Sequence, residues 1–118
     1  MAVFEVETWY VKEGKEKEHD EWMRRWLKWV HDHRELFPEW NSLRYFDKHT
    51  AGDDSGRRMI IWEYDSFTAY ETYKTRRKDY AGPYAEYKEN DPYYQGVFIH
   101  DRMTMEFWKD LERDLWLE

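Results

Sequence analysis

The sequence predicts an α+β domain whose strands and helices follow in the order β-α-β-β-α-β. Residues 3–11 alternate between apolar and polar side chains, as a half-buried strand does. Residues 15–37 carry apolar side chains at helical spacing. Residues 58–73 open with apolar, β-branched and aromatic side chains and change to helical spacing after Asp65 and Ser66. A short side-chain oxygen at that point can cap the first turn of a helix.

The remaining segments complete this order. Residues 41–49 alternate as a second strand, and the turn residues of 50–56 predict a hairpin loop that leads into the third. Residues 96–108 alternate as a long last strand. Apolar residues then recur at helical spacing, which predicts a tail helix over residues 108–118. At this length, residues 1–118 are expected to form a single domain.

This order is the ferredoxin-like pattern, with a four-stranded antiparallel sheet. Right-handed crossovers place the first and third strands side by side at its centre. The two main helices can cover only one face of such a sheet. We therefore expect the chain to form a homodimer through the other face, because a large exposed apolar patch is rare on a stable monomer.

The amino-acid composition argues against several classes of function. The chain has eight Trp, ten Tyr and six Phe residues, so its core must consist largely of aromatic rings. A net charge of −7 without a basic stripe argues against a nucleic-acid partner. The absence of cysteine excludes thiolate metal sites, and His31 and His33 point apart on a helix, so no metal site is predicted. No apolar run spans a membrane and no signal peptide is evident, which predicts a cytoplasmic protein.

The cleft between the sheet and the helices is the first candidate site. Alternation along the strands and helical spacing predict its lining: Thr8, Tyr10, His19, Trp22, Trp26, Trp62, Tyr64, Tyr70, Tyr73 and Asp101. Of these, Tyr10, Trp26, Trp62 and Tyr73 are predicted to contact a ligand, because aromatic walls with few polar groups suit a small planar molecule. The alternative is that the same rings are only the packed core.

His19 is the candidate catalytic residue. Its predicted place on the inner face of the first helix puts an imidazole at one end of the cleft. Such a group titrates near neutral pH and could take a proton from a phenol or quinol. The alternative is an interior histidine that is hydrogen-bonded within the fold.

A second candidate is a charged surface on the other face of the sheet, where alternation predicts that Glu5, Glu7, Glu63 and Arg102 meet. One interpretation is a network of ion pairs that sets the register of the dimer. The other is a carboxylate site, in which clustered glutamates raise one another's pKa.

Two segments resemble the dimeric α/β-barrel superfamily, and NIPSNAP-like proteins within it. The first is Glu5-Val-Glu-Thr-Trp-Tyr-Val-Lys-Glu-Gly-Lys15, and the second is Ile61-Trp-Glu-Tyr-Asp-Ser-Phe67. The resemblance implies two sheets paired face to face and ligands held between sheet and helices. The superfamily includes cofactor-free monooxygenases of the antibiotic-biosynthesis type, haem-degrading enzymes and isomerases.

Haem-degrading members resemble one another in a histidine on the second helix, an Asn on the first strand and a Trp near the third. Only Trp62 fits this pattern here, because residues 65–88 contain no histidine and the first strand contains no Asn. We therefore predict no haem and no other cofactor. The expected function is a homodimer that binds a small aromatic or lipid-like ligand. The alternative is a cofactor-independent monooxygenase or isomerase acting on a small aromatic or quinol substrate.

Overall fold

A four-stranded antiparallel sheet carries its helices on one face in the computed structural model, which describes residues 1–50 and 56–118. Its elements are β1 (Val3–Tyr10), α1 (Glu16–Asp32), β2 (Ser42–Asp47), β3 (Arg57–Tyr64), α2 (Phe67–Arg76), α3 (Tyr84–Asn90) and β4 (Thr104–Lys109). The strands lie in the order β2-β3-β1-β4, so the predicted α+β, ferredoxin-like fold is confirmed. Most of the predicted hairpin loop lies outside the described residues.

The register of the central pair decides which side chains of β1 enter the core. Glu5 lies opposite Trp62 on β3, and Glu7 lies opposite Ile60. Directly opposed residues of an antiparallel pair share one face of the sheet. The odd-numbered residues of β1, Trp9 included, therefore face the helices, where Trp9 is only 2% exposed.

Local signals place the two long helices. Gly14 takes a positive φ of 81°, which suits glycine, and turns the chain from β1 into α1. Ser66 caps α2, because its hydroxyl accepts a hydrogen bond of 3.1 Å from the backbone N–H of Ala69. The first helix ends earlier than predicted, since a 3₁₀ helix over Arg34–Leu36 precedes Pro38.

The last strand is shorter than predicted. Val97 and Phe98 are neighbours in sequence, and both are buried. Neighbouring side chains of a regular strand point to opposite faces of the sheet, so both cannot be buried in a strand that has one exposed face. The chain makes one bridge from Phe98 to Val11 and then a 3₁₀ turn over His100–Arg102. Regular pairing with β1 begins only at Thr104.

The predicted tail helix is wrong. Residues up to Lys109 belong to β4, and the only helical turn after it in the described chain is a 3₁₀ turn over Arg113–Leu115. Glu112 stands before that turn with a φ of 53°, a left-handed conformation that does not continue an α-helix. The tail folds back over the outer face of the sheet, where the ring of Trp116 lies 6.3 Å from that of Phe4.

Aromatic rings dominate the core between sheet and helices, with Phe37 at its centre. This side chain is 1% exposed and stacks on Trp40 with 4.2 Å between ring centroids. It also contacts the rings of Trp29, Tyr84 and Tyr87. Phe37 thus connects α1, α3 and the segment that leads into β2.

We predict that Phe37→Ala lowers the free energy of unfolding by about 3–5 kcal/mol, since truncating a buried aromatic side chain leaves a cavity. Leu117→Ala is the matched control, because Leu117 is 100% exposed and its truncation should change stability by less than about 0.5 kcal/mol. Urea denaturation of both variants measures the difference. A cost for Phe37→Ala similar to that of the control would contradict this account of the core.

Candidate ligand-binding cleft

A cavity of about 280 Å³ lies between the inner face of the sheet and the helices. Exposed Tyr93 and Tyr94 are among its lining residues, so the cavity reaches the protein surface beside them. Its lining combines aromatic rings with five acidic or basic side chains. The lining residues that matter below are Glu5, Glu7, Trp26, Trp40, Trp62, Tyr64, Tyr73, Lys74, Arg77, Tyr87 and Asp91.

The aromatic walls come from separate elements. Trp26 of α1 stands edge-on to Trp62 of β3, with 6.4 Å between ring centroids and planes 83° apart. Trp40 lies 5.9 Å from Trp62 and 5.1 Å from Tyr73 of α2. Tyr87 of α3 lies 6.1 Å from Trp26. Such tilted ring pairs pack favourably and leave flat surfaces for a planar molecule.

Glu5 belongs to a buried chain of hydrogen bonds. Trp40 Nε1 donates to the Tyr64 hydroxyl at 3.1 Å, and that hydroxyl donates to Glu5 Oε1, also at 3.1 Å. Burial raises the pKa of Glu5 above its ordinary value, and the Tyr64 hydrogen bond opposes this shift. Glu5 is therefore held in one orientation by the core.

Glu7 lines the same cavity without such a partner. It forms no hydrogen bond or ion pair with any residue of the described ranges, 1–50 and 56–118. Burial raises its pKa from 4.5 to about 7, with the charges of Glu5 and Asp91 adding to the shift and those of Lys74 and Arg77 opposing it. Glu7 is thus a carboxyl group that changes protonation near neutral pH inside an aromatic cavity.

Two cations face these carboxyl groups, Lys74 of α2 and Arg77 directly after the helix. Burial lowers the pKa of Lys74, and neighbouring Arg77 lowers it further. The Lys74 ammonium lies 5.7 Å from the ring of Tyr70. Arg77 donates to the Tyr80 hydroxyl at 3.1 Å and lies 5.2 Å from the ring of Tyr73. Lys74 is therefore the less constrained of the two cations.

The third carboxyl group, Asp91, stands at the end of α3. Its Oδ1 accepts a 3.0 Å hydrogen bond from the backbone N–H of Tyr93 and so caps the 3₁₀ turn Pro92–Tyr94. Burial raises the pKa of Asp91. The Asp91 side chain therefore stabilises a turn beside the cavity.

His19 does not line the cavity. It is 0% exposed, and its Nε2 accepts a 2.9 Å hydrogen bond from Trp9 Nε1. The ring proton therefore sits on Nδ1, which donates to Asp20 at 2.9 Å. Burial lowers the pKa of His19, which favours the neutral ring. Both nitrogens are engaged within the fold, an arrangement that matches the structural interpretation of this residue.

The placement of Tyr10 in the cleft is wrong. Tyr10 and Thr8 belong to the even-numbered set of β1, and Thr8 lies opposite Met59 on the outer face. The Tyr10 ring instead packs under the Arg102 guanidinium, 3.9 Å from its carbon. Assigning the wrong set of β1 to the inner face also exchanged Thr8 and Tyr10 for Glu5 and Glu7.

The predicted charged surface on the outer face does not form as a group. Glu5 and Glu7 point into the cavity, and Arg102 lies in a 3₁₀ turn rather than on β4. Glu63 does lie on the outer face, where it accepts hydrogen bonds from Ser42 and from Arg113 of the tail. The outer side of β3 is thus partly neutralised by the chain's own C-terminal segment.

The structure brings together Trp26, Trp62 and Tyr73 of the predicted ligand-contacting residues. The sequence pattern did not predict the charged residues that lie with them: Glu5, Glu7, Lys74, Arg77 and Asp91. One signal could have revealed the two glutamates. Trp9, the largest apolar residue of the first strand, shares their parity and would be expected to point inward.

Several buried polar groups have no partner. Within the part of the chain that the structure describes, the indole N–H groups of Trp26, Trp29 and Trp62 make no hydrogen bond. Leaving such a group unsatisfied costs about 1–3 kcal/mol. Trp26 and Trp62 both line the cavity, so two of these three unsatisfied indole N–H groups belong to its wall.

The described residues contain neither a cluster of metal-binding side chains nor a helix that could span a membrane. Among the described residues, no group of three or more His, Asp or Glu side chains is arranged to hold a metal ion. In the same residues, no helix combines the length and the apolar character needed to cross a membrane.

No protein-family model matches the chain, and no curated protein sequence matches it. Solved structures with the same fold do. A NIPSNAP family protein from Agrobacterium tumefaciens superposes with a TM-score of 0.71 at 11% identity, covering 96% of each chain. A Bacteroides thetaiotaomicron protein, assigned only provisionally as an antibiotic biosynthesis monooxygenase, gives 0.63 at 12% identity and covers 99% of this chain and 96% of its own.

A third similar structure is described as a dimeric protein of unknown function and ferredoxin-like fold from Bacteroides fragilis. Its TM-score is 0.63 at 7% identity, covering 92% of this chain and 96% of that one. These similarities confirm the ferredoxin-like fold. Identities of 7–12% carry no activity with them.

The unpartnered Glu7 carboxyl leads to a prediction about pH and stability. Its folded-state pKa lies above that of the unfolded chain, so the folded state holds a proton that the unfolded state releases between about pH 4.5 and 7. Stability should therefore fall as the pH rises through this range. Glu7→Gln removes the titration and should raise the free energy of unfolding by about 3 kcal/mol at about pH 8, with little difference at about pH 4.

Urea denaturation at both pH values, at one protein concentration, measures this effect. Glu71→Gln is the matched control, because Glu71 is exposed on α2 and its neutralisation should change stability little at either pH. An equal difference between wild type and Glu7→Gln at both pH values would contradict the buried titration.

Proposed function

We propose that the protein binds a small, flat aromatic ligand in the cavity between the sheet and α1 and α2. The observation that carries this proposal is the meeting of Trp26, Trp62 and Tyr73 around an open volume of about 280 Å³. A purely structural core is close-packed and leaves few voids larger than a water molecule. A cavity of this size suits one or two fused rings, since it lies at the lower end of the roughly 300–1,000 Å³ range of pockets that hold drug-sized ligands.

The polar part of the lining favours an aromatic ligand over a lipid chain. Glu5, Glu7 and Asp91 line the cavity together with Lys74 and Arg77. A lipid chain beside these groups would remove them from water without offering a hydrogen bond, which is unfavourable. A ring that carries a hydroxyl or carbonyl group offers both an apolar face and a polar edge.

We also propose that the protein is a homodimer joined through the outer face of its sheet. Val6, Met59, Ile61 and Trp108 contribute apolar side chains to a groove on this face, which charged residues such as Asp47 and Glu106 also line. Phe46 and Trp108 are 43% and 57% exposed. A second copy of the chain would cover these side chains, and a protein of the same fold is described as dimeric.

A second candidate function is catalysis without a cofactor, as a monooxygenase or an isomerase. The observation that favours catalysis is Glu7, a carboxyl with a pKa of about 7 beside the aromatic walls. A group that titrates near the working pH is suited to general acid–base chemistry. The cytoplasmic location expected from the sequence stays a prediction.

Titration calorimetry with 2-naphthol tests the ligand site. We expect one molecule bound per chain, and weaker binding by Trp62→Phe of about 2- to 12-fold, from the loss of about 0.5–1.5 kcal/mol of ring contact. Trp116→Phe is the matched control, because Trp116 lies in the tail on the outer face. Wild-type protein that is folded yet releases no heat with 2-naphthol would overturn the proposal for this class of ligand.

Sedimentation equilibrium tests the dimer. Wild-type protein at micromolar concentration should show twice the chain mass of 15.0 kDa. Ile61→Lys places a charge at the centre of the proposed interface and should give monomers, because an unpaired buried charge opposes association. Glu86→Lys, on the exposed side of α3, should stay dimeric. A monomeric wild type, or a dimeric Ile61→Lys, would exclude this interface.

A further inference from the structure

Two oppositely charged side chains of the cavity form neither a hydrogen bond nor an ion pair with any described residue. Glu7 projects from β1 and Lys74 from α2, and both line the same cavity. Within residues 1–50 and 56–118, neither forms a hydrogen bond or an ion pair. The other charged groups of the cavity are engaged: Glu5 by Tyr64, Arg77 by Tyr80 and Asp91 by the backbone of Tyr93.

Charges that are kept partly buried and unpaired destabilise a fold, so their presence at an open cavity needs a reason. Glu7 can accept a proton and Lys74 can stabilise a negative charge. A molecule held between them would present an acidic hydrogen to the first and the resulting anion to the second. The sheet and the helix thus supply the two complementary groups that a proton-transfer reaction requires.

We propose that this cavity, acting on the aromatic ligands of the proposed function, catalyses the keto–enol isomerisation of flat ketones. Glu7 is the general base and Lys74 stabilises the oxyanion. The carboxylate of Glu7 takes a proton from the carbon next to the carbonyl group, so that a C–H bond breaks and an O–H bond forms on Glu7. The electron pair of the broken bond moves to the carbonyl oxygen, which becomes the enolate oxygen beside Lys74.

The second half of the reaction restores the protein. Protonated Glu7 returns its proton either to the enolate oxygen, which gives the enol, or to a carbon atom of the enolate, which gives a ketone. No electron leaves or enters the substrate, so the reaction needs no oxidant, reductant or cofactor. Flat ketones suit the site because the enolate is planar and the rings of Trp26, Trp62 and Tyr73 offer flat contacts.

Glu7 fits the role of base better than its neighbour on β1. Glu5 is fixed by the Tyr64 hydroxyl, whereas Glu7 is free to contact a bound molecule. The charges that act on Glu7 are Glu5 on its own strand, Lys74 on α2, Arg77 directly after α2, and Asp91 after α3. Together with burial they give Glu7 a pKa of about 7, so the rate should rise with pH and level off above this value.

Hydrogen–deuterium exchange of 2-tetralone, followed by proton NMR in deuterated buffer, tests the proposal. Wild-type protein should accelerate exchange at the carbons next to the carbonyl above the rate in buffer. Glu7→Gln should lower this acceleration by about 100-fold or more, as expected on losing a positioned base. Lys74→Met should lower it by about 100-fold, the effect of removing one oxyanion-stabilising group. Glu71→Gln, exposed on α2, should match wild type.

His19→Gln separates the two candidate bases, because His19 lies outside the cavity. We expect its exchange rate to rise with pH and to level off at the same pH as in wild type. Loss of exchange in His19→Gln together with full activity in Glu7→Gln would overturn the proposal. A rising pH profile that persists unchanged in Glu7→Gln would overturn it as well.

Binding of 2-naphthol distinguishes failure of this proposal from failure of the ligand site. Glu7→Gln should still bind 2-naphthol, which also shows that the variant is folded. Wild-type protein that binds 2-naphthol without accelerating exchange overturns the isomerisation and leaves the ligand site in place. Wild-type protein that neither binds nor exchanges overturns both.

Discussion

The burial of Trp9 on the central strand constrains the whole site. Its ring stacks on Phe98 with 4.8 Å between centroids, and its N–H donates to buried His19. Because side chains of a strand alternate between two faces, an inward Trp9 obliges Glu5 and Glu7 to point inward as well. The burial of the Trp9 ring therefore places the carboxyl groups of Glu5 and Glu7 in the core as well. His19 supports this arrangement by giving the indole N–H an acceptor.

The fold offsets part of the free-energy cost of burying the Glu5 and Glu7 carboxyl groups. Tyr64 donates a hydrogen bond to Glu5, while the charges of Lys74 and Arg77 lower the pKa values of both glutamates. The helix that follows β3 is placed by its Ser66 cap, so its cations come to lie over the carboxyl groups of β1. The remaining cost falls on Glu7. A cavity in which one carboxyl forms no hydrogen bond or ion pair with the described residues is a better candidate for chemistry than one whose polar groups are all engaged.

Because the side chains of β1 alternate, the two faces of the sheet also carry different kinds of side chain. The even-numbered residues of β1 include Val6 and Thr8, which lie with Met59 and Ile61 of β3 on the face without helices. Toward one end, the tail covers Phe4 and pairs Arg113 with Glu63. The groove lined by Ile61 and Trp108 remains on this face. The tail thus protects one end of an apolar surface whose other part is available to a second copy.

The sequence by itself determined the order of the elements, because helical spacing, strand alternation and the Ser66 cap are local properties. It also identified Trp26, Trp62 and Tyr73, whose inward direction follows from the period of their own elements. Tertiary structure decided which set of β1 faces the helices, since both alternating sets contain apolar residues. The size of Trp9 is a local hint, and pairing with β3 settles the choice. Tertiary structure likewise decided that the tail folds back over the sheet and that Glu7 and Lys74 share a cavity. Residues 67 positions apart in the chain meet only through packing, and no local period encodes that contact.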